Sequence, residues 1–401
     1  MVSLADIRAA EERIAPHIIR TLLVYSPTIS AMTGASVYLK LETLQKAGSF
    51  KVRGATNKIL LHKDECRKRG VIAASAGNHA QGVAVAAHAA GVPATIVMPE
   101  WASLAKQEAT RAYGAEVLIE GFTLEESIQK AEQMARDGPL FIHPYDDEEI
   151  IAGQGTVGLE ILAELPDTDM IIVPVGGGGL ITGIATAAKA LRPTITIVGV
   201  QAAACPSAYE ALHHVEPVQV NAGRTIADGI RVTQTGTVTL PILRELVAEI
   251  VLATEEEIAD AMLLLLERKH VIAEGAGAVP LAALLNGSIT IKKGATIVLV
   301  ISGGNVDSPQ LFRIIRQALM RQGRILRLTV HIDDHPGTLA RFISLIAQLN
   351  GNITNLQHSQ NECDAVSQMI RVEIEIETRG KVHAAEIKTR LAESGYDVQD
   401  R

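Results

Sequence analysis

Lys51 stands in Gly48-Ser49-Phe50-Lys51-Val52-Arg53-Gly54-Ala55, where a primary amine at the mouth of a helix is placed for covalent chemistry. Three other stretches offer groups that a lone lysine lacks. Ser75-Ala76-Gly77-Asn78-His79-Ala80-Gln81-Gly82 follows a short apolar run. Its amides at a helix start favour an anion, Gly77 lets the backbone come close to a ligand, and Asn78 adds a donor for an oxygen. Pro174-Val175-Gly176-Gly177-Gly178-Gly179-Leu180 frees successive amides into a phosphate nest backed by a helix dipole. Its spacing is neither that of a dinucleotide fingerprint nor that of a Walker loop, so a single phosphate fits it better. Ser302-Gly303-Gly304-Asn305 puts a hydroxyl after another apolar run, at the carboxyl end of a parallel strand where open α/β sheets present ligands. Taken singly, these read as a solvated lysine, a capped turn, a linker and a turn. Together, an amine, an amide, a phosphate cup and a hydroxyl suit pyridoxal 5′-phosphate (PLP).

The elements that must carry these groups alternate. Short β-branched runs at residues 37–41, 71–74, 94–98, 116–119, 170–175, 195–200 and 295–301 are expected strands. Several are apolar throughout, as strands covered on both faces are. Ala-rich segments at 79–90, 123–136, 180–191, 255–269 and 309–321 are expected helices, and strand alternating with helix implies a parallel sheet. Near residue 323 the pattern changes to strand 326–332, turn 333–337, helix 338–349, strands 353–357 and 369–376, helix 382–393 and a short strand at 396–398. That order is the ferredoxin-like βαββαβ unit. Arg313, Arg316, Arg321, Arg324 and Arg327 are expected to be a solvated helix face and connector.

Composition narrows the function. The 401 residues are 47% hydrophobic, 20% charged and 3% aromatic, a mixture suited to α/β domains with large buried cores. A formal net charge of -8 argues against nonspecific nucleic-acid binding. Cys66, Cys205 and Cys363 are odd in number and far apart, so neither a disulfide framework nor a clustered zinc site is implied. The first 14 residues are charged and helix-like, without the apolar stretch of a signal peptide, and a cytoplasmic location is expected. Residues 170–188 carry no formal charge, but Pro174 and the glycine run would break a lipid-exposed helix; no membrane span is expected.

The ordered set S-F-K-x-R-G-A, S-A-G-N-H-A-Q-G, G-G-G-G-L and S-G-G-N resembles the threonine/serine dehydratases (threonine ammonia-lyases) of the tryptophan-synthase-β-like PLP enzymes, over residues 1–322. Residues 326–401, with Asp334-His335-Pro336-Gly337 before a helix, resemble an ACT domain, a small amino-acid-sensing module. The resemblance implies a two-lobed α/β catalytic domain, with a small lobe at about residues 46–150 inserted in the large one, followed by a regulatory domain. It implies that Lys51 carries PLP and takes the substrate Cα proton, that Phe50 lies beside the ring, and that Asn78 bonds the 3′-hydroxyl. Gly176, Gly177, Gly178 and Gly179 would cradle the phosphate and Ser302 would meet the pyridine nitrogen. A neutral serine there leaves the nitrogen unprotonated, which favours prompt loss of the β-hydroxyl. The substrate carboxylate would rest on the amides of Ser75, Ala76, Gly77, Asn78 and His79. Glu274 is a weaker candidate, equally explained as a helix-start acid, and His143 and Asp146 are expected to be structural. A mono- or divalent cation site is a further implication, with ligands the sequence does not identify.

The reaction implied is elimination from L-threonine to 2-oxobutanoate and ammonia, with L-serine to pyruvate alongside, in isoleucine biosynthesis. Serine dehydratase, serine racemase and hydroxyaspartate dehydratase share the fold and stay open as alternatives, as does a non-catalytic amino-acid sensor. Related serine racemases carry a second serine where this chain has Ala76, so little racemisation is expected. The ACT-like tail implies control by isoleucine or valine, bound near residues 334–338, in a homo-oligomer, dimer or tetramer.

Overall fold

The chain divides into two compact units, Met1–Asp307 and Ser308–Arg401. The computed structural model describes residues 1–136, 138–214, 218–364 and 369–400, and of residues 359–364 the backbone alone.

The first unit contains strands β1 (Leu23–Tyr25), β2 (Ser36–Leu41), β3 (Val71–Ala74), β4 (Ala94–Met98), β5 (Glu116–Ile119), β6 (Leu140–Phe141), β7 (Met170–Pro174), β8 (Thr196–Ala202), β9 (Glu249–Ala253) and β10 (Thr296–Ile301). They form a six-stranded sheet ordered β1-β2-β10-β7-β8-β9 and a four-stranded sheet ordered β5-β4-β3-β6. Every pairing is parallel except β1 with β2. All residues of β3 and residues 297–301 of β10 are buried, which is why those runs are apolar without alternation. Each fully buried Val, Ile or Leu there stabilises the fold by about 1.5–3 kcal/mol.

The seven strands expected in this unit are present to within two residues at either end. Three others were not anticipated. β1 and β6 are three and two residues long, too short to show a period. β9, an edge strand, begins with an exposed glutamate and mixes burial classes along its length. The expected helix at 255–269 is regular over Glu255–Leu264 and continues as a π-helical turn, Leu265–Lys269, closed by His270 at φ 55°.

Two hydrophobic cores meet at the Lys51 segment. Val52, Ala55 and Ile59 pack with Ala80, Val83, Ala84 and Ala87 in the core of the smaller sheet. Phe50 packs instead on the core that holds Ile171, Val173, Val298 and Val300 of the larger sheet. Adjacent side chains thus enter different cores, and Lys51 stands at the seam between them. The uncharged run at 170–188 is β7, the glycine loop and most of the helix Gly179–Leu191. No helix among the described residues is long and apolar enough to cross a membrane.

The second unit opens with the helix Ser308–Arg321 and continues through β11 (Ile325–Asp333), the helix Thr338–Gln348, β12 (Asn352–Asp364), β13 (Met369–Glu377), the helix Lys381–Glu393 and β14 (Asp397–Asp400). The sheet order is β12-β13-β11-β14, antiparallel throughout, so the βαββαβ order read from the sequence is present. From the sequence, the boundary is expected after residue 322 and the arginines on a solvated face. The helix 308–321 falls in the second unit instead: its Arg316 donates to Glu375 of β13, and its Ile314 and Ala318 are buried. Arg327 Nε lies 3.8 Å from the same carboxylate.

Candidate active site

Lys51 is the first residue of the helix Lys51–Leu61, whose N-terminus has no side-chain cap. Its Nζ donates to the Pro144 carbonyl at 2.7 Å and lies 5.2 Å from the centre of the Phe50 ring. Burial at the seam lowers the amine to about 8, partly offset by the charge of Glu274. At pH 8 about half of such an amine is neutral, against roughly one part in 300 for an ordinary lysine, so it is suited to taking a proton near neutrality. The helix Asn78–Ala90 approaches so closely that a Cβ on Gly82 would sit 2.9 Å from Lys51 Cβ and 3.0 Å from Val52 N. The last glycine of the Asn78 motif therefore sets the distance between the two helix starts.

The glycine loop is tied to Lys51 through residues 143–146. Pro144 holds the amine, and the next ring, Tyr145, occupies the space a Cβ on Gly177 would need, 2.3 Å away. Asp146 accepts from the amides of Thr237, Val238 and Thr239 at 2.8–3.2 Å, and Thr239 Oγ1 donates to the Gly177 carbonyl at 2.7 Å. His143 Nδ1 accepts from the amides of Tyr145 and Asp146, and burial pushes its pKa down to about 4, so the ring is neutral. His143 and Asp146 thus shape the loop. Gly178, at φ +103°, requires a residue without a Cβ and precedes the helix Gly179–Leu191. We expect Gly177→Ala to displace Tyr145 and weaken PLP binding by about tenfold, an overpacking effect of order 1–3 kcal/mol, measurable by titrating the apoenzyme with PLP.

Ser302 follows β10, and its carbonyl accepts from Phe50 N at 3.1 Å. Ser49 bridges Gly303 in antiparallel fashion, and Gly304 N donates to Gly48 O at 2.9 Å. Segments some 250 residues apart are laced together, which brings Ser302 beside the segment that carries Lys51. Asn78 begins its helix, and Asn305 reaches it from the same 302–305 turn at 2.8 Å. His79 points elsewhere: its Nε2 lies 2.8 Å from the Ile142 carbonyl and burial drives the ring down to about 3, which leaves only its backbone for a ligand. Ala76 is buried in the smaller core. Glu274 occupies the N-cap position of the helix Gly275–Leu285 without capping it; its carboxylate accepts from Asn78 Nδ2 at 2.6 Å instead. Burial, with Asp228 nearby, raises Glu274 to about 8.

Arg53, within the lysine motif, was not given a role by sequence reasoning. It is fully buried and donates to both oxygens of Glu42, at 2.7 and 2.8 Å, and to both oxygens of Glu160, at 2.7 and 3.0 Å. Lys40 also bonds Glu160, at 2.6 Å. Two cations and two carboxylates from four separate elements compensate one another beneath the Lys51 helix, and no local motif reveals that.

The residues present fit PLP. The amides of Gly176, Gly177 and Gly178 donate to no acceptor among the described residues, the space beside Gly77 is open to a Cβ, and a lysine with a depressed pKa stands at the seam. No group of three or more His, Cys, Asp or Glu side chains that could hold a metal occurs among the described residues. Cys66 and Cys205 are buried free thiols; the Cys363 side chain lies outside the described residues.

Residues 14–303 match the family described as pyridoxal-phosphate dependent enzyme. The L-threonine ammonia-lyase of Thermotoga maritima is 44% identical over 400 residues, covering 100% of this chain and 99% of that protein. The fold is shared with solved structures. The processed form of threonine deaminase isoform 2 from Solanum lycopersicum has TM-score 0.75 and 36% identity, over 79% of this chain and 87% of that one. Maize serine racemase has TM-score 0.75 and 36% identity, over 80% and 99%. With the lysine, amide, glycine loop and serine gathered at one seam, the chain belongs to the pyridoxal-phosphate dependent enzymes and, within them, to the threonine ammonia-lyases.

Proposed function

We propose that this enzyme removes water and then ammonia from L-threonine, giving 2-oxobutanoate, and treats L-serine in the same way to give pyruvate. The observation that carries this reading is the lysine amine held by Pro144 at a helix start, between the helix start at Asn78 and the glycine loop. Bound PLP supplies the electron sink that makes the substrate Cα proton removable. The other tasks fall to the chain. Lys51 holds the cofactor and its amine takes the Cα proton. The amides at 75–79 orient the substrate carboxylate, those at 176–179 anchor the phosphate, and Ser302 offers an uncharged partner to the ring nitrogen. The proton that Lys51 takes from Cα balances the one the β-hydroxyl needs to leave as water, and the released enamine tautomerises to an imine that water hydrolyses to the oxo acid and ammonia.

With Ala76 contributing only a methyl group, Lys51 is the sole base at the substrate on this reading. L-serine is then expected to yield pyruvate with little D-serine; D-serine forming at a rate near that of pyruvate, in a chiral assay of the same reaction, would refute the assignment. The full-length relative supports threonine as the substrate, and kinetics with threonine and serine in parallel test the preference.

The C-terminal unit supports allosteric control in this reading. An aliphatic amino acid such as isoleucine or valine is proposed to bind near residues 334–338, where β11 ends and Gly337, at φ +90°, precedes the helix Thr338–Gln348. Deleting residues 308–401, the whole second unit, should preserve turnover and abolish the response to isoleucine and valine. An unchanged response in the truncated enzyme would move the effector site elsewhere.

A further inference from the structure

Asn78 has an amide whose two ends are alike in shape, so only its partners decide which way it points. The decision starts at a backbone carbonyl. Asn305 Nδ2 donates to Ala47 O at 2.7 Å, and a carbonyl can only accept, so Asn305 must present its NH2 group on that side. The same NH2 donates to Asn78 Oδ1 at 2.8 Å, with Gln81 Oε1 at 3.4 Å as a weaker third acceptor. Asn78 is thereby compelled to turn its own NH2 away from Asn305, towards Glu274 Oε1 at 2.6 Å. Glu274 is itself fixed by its backbone, whose N–H donates to Gly303 O at 3.1 Å. The turn at Asp228–Ile230 lies against the pair: a Cβ on Gly229 would come within 3.5 Å of Glu274 Oε1 and 3.6 Å of Asn78 Nδ2. An ionised carboxylate accepts here, and a protonated one retains an acceptor oxygen, so the contact holds in either state.

We propose that Glu274 and Asn305 are positioning residues that lock the Asn78 amide, committing one Nδ2 proton to Glu274 and leaving the other for an oxygen of the cofactor. The proposal rests on the reading of Asn78 as a cofactor contact. It gives the last residue of the S-G-G-N turn a task separate from that of Ser302 and gives Glu274 one other than helix capping. Neither residue needs to touch the substrate. Their effect is to exclude the flipped amide, which would point an oxygen at an oxygen.

The test is the affinity of the full-length apoenzyme for PLP, read by equilibrium titration, together with the pH midpoint of the visible band of the bound cofactor. Asn305→Asp replaces the donor by an acceptor and should flip Asn78, while Glu274→Ala removes its acceptor. Each is expected to weaken PLP binding by about tenfold or more, the effect of leaving one buried polar group unpaired, and to shift the midpoint. Glu274→Gln keeps an acceptor oxygen and should restore binding to within about threefold of wild type by the same arithmetic. Asn305→Ala serves should the aspartate variant not fold, with melting temperature as the control. Asn78→Ala is measured alongside. If it is weakened while Asn305→Asp and Glu274→Ala bind as wild type with an unshifted midpoint, the positioning role is overturned and the Asn78 contact stands. If Asn78→Ala itself binds PLP as wild type, the underlying contact fails and the proposal fails with it.

Discussion

Lys51→Ala is expected to lower threonine turnover by on the order of 10³-fold or more, because one side chain supplies both the covalent anchor and the proton acceptor. The fold should survive. The lysine lies at a helix N-terminus, its Nζ makes a single hydrogen bond among the described residues, to Pro144 O, and burial already disfavours its charge. Oxo-acid formation, circular dichroism and thermal melting measured together separate chemistry from folding. Turnover close to wild type would remove Lys51 from its role, whatever the stability. In the apoenzyme the rate of PLP capture should also rise with pH as the amine loses its proton, since an amine lowered to about 8 is mostly charged at pH 6 and mostly neutral at pH 9.

Arg53→Leu is expected to act the opposite way, through stability. The guanidinium answers two buried carboxylates, Glu42 and Glu160, and Lys40 answers only the second directly. Opposing charge and hydrogen bonds hold the Glu42 carboxyl below its ordinary pKa despite the burial. Removing Arg53 leaves the buried Glu42 charge with only the Thr21 hydroxyl and the more distant charge of Lys40, at a cost of about 3–5 kcal/mol. Arg53→Lys should restore only part of this, since an ammonium cannot match two carboxylates with a planar fork. Urea or thermal unfolding reads the difference. A loss below about 1 kcal/mol, the range of an exposed ion pair, would mean that the network is not a stability element.

The contrast between these two residues shows what the sequence makes legible. Lys51, Asn78, the glycine run and Ser302 sit at strand or helix ends within stretches whose composition announces an unusual backbone, so their chemistry is visible locally. The buried strands β3, β7 and β10 are visible for a similar reason: a short run that is apolar at every position, bounded by turn residues, fits a strand covered on both faces. Arg53 is different. Its partners come from residues 42 and 160, on other elements, and a charged residue inside a catalytic motif invites a catalytic reading. Glu274 likewise shows its partner only once Asn78, 196 positions away in sequence, is beside it. The unit boundary at residue 307 follows tertiary contacts, Arg316 with Glu375 among them, that no helix pattern discloses. Gly82 reads as a helical glycine until the approach of Lys51 explains it.

The central claim is that Lys51 is the amine that carries the cofactor of this lyase. Borohydride reduction of the PLP-loaded enzyme, followed by digestion and mass spectrometry, tests it most directly. The account predicts a pyridoxyl group on the peptide containing Lys51 and on no other lysine, lost when the Lys51→Ala protein is treated in the same way. A stoichiometric pyridoxyl group on a different lysine would contradict it.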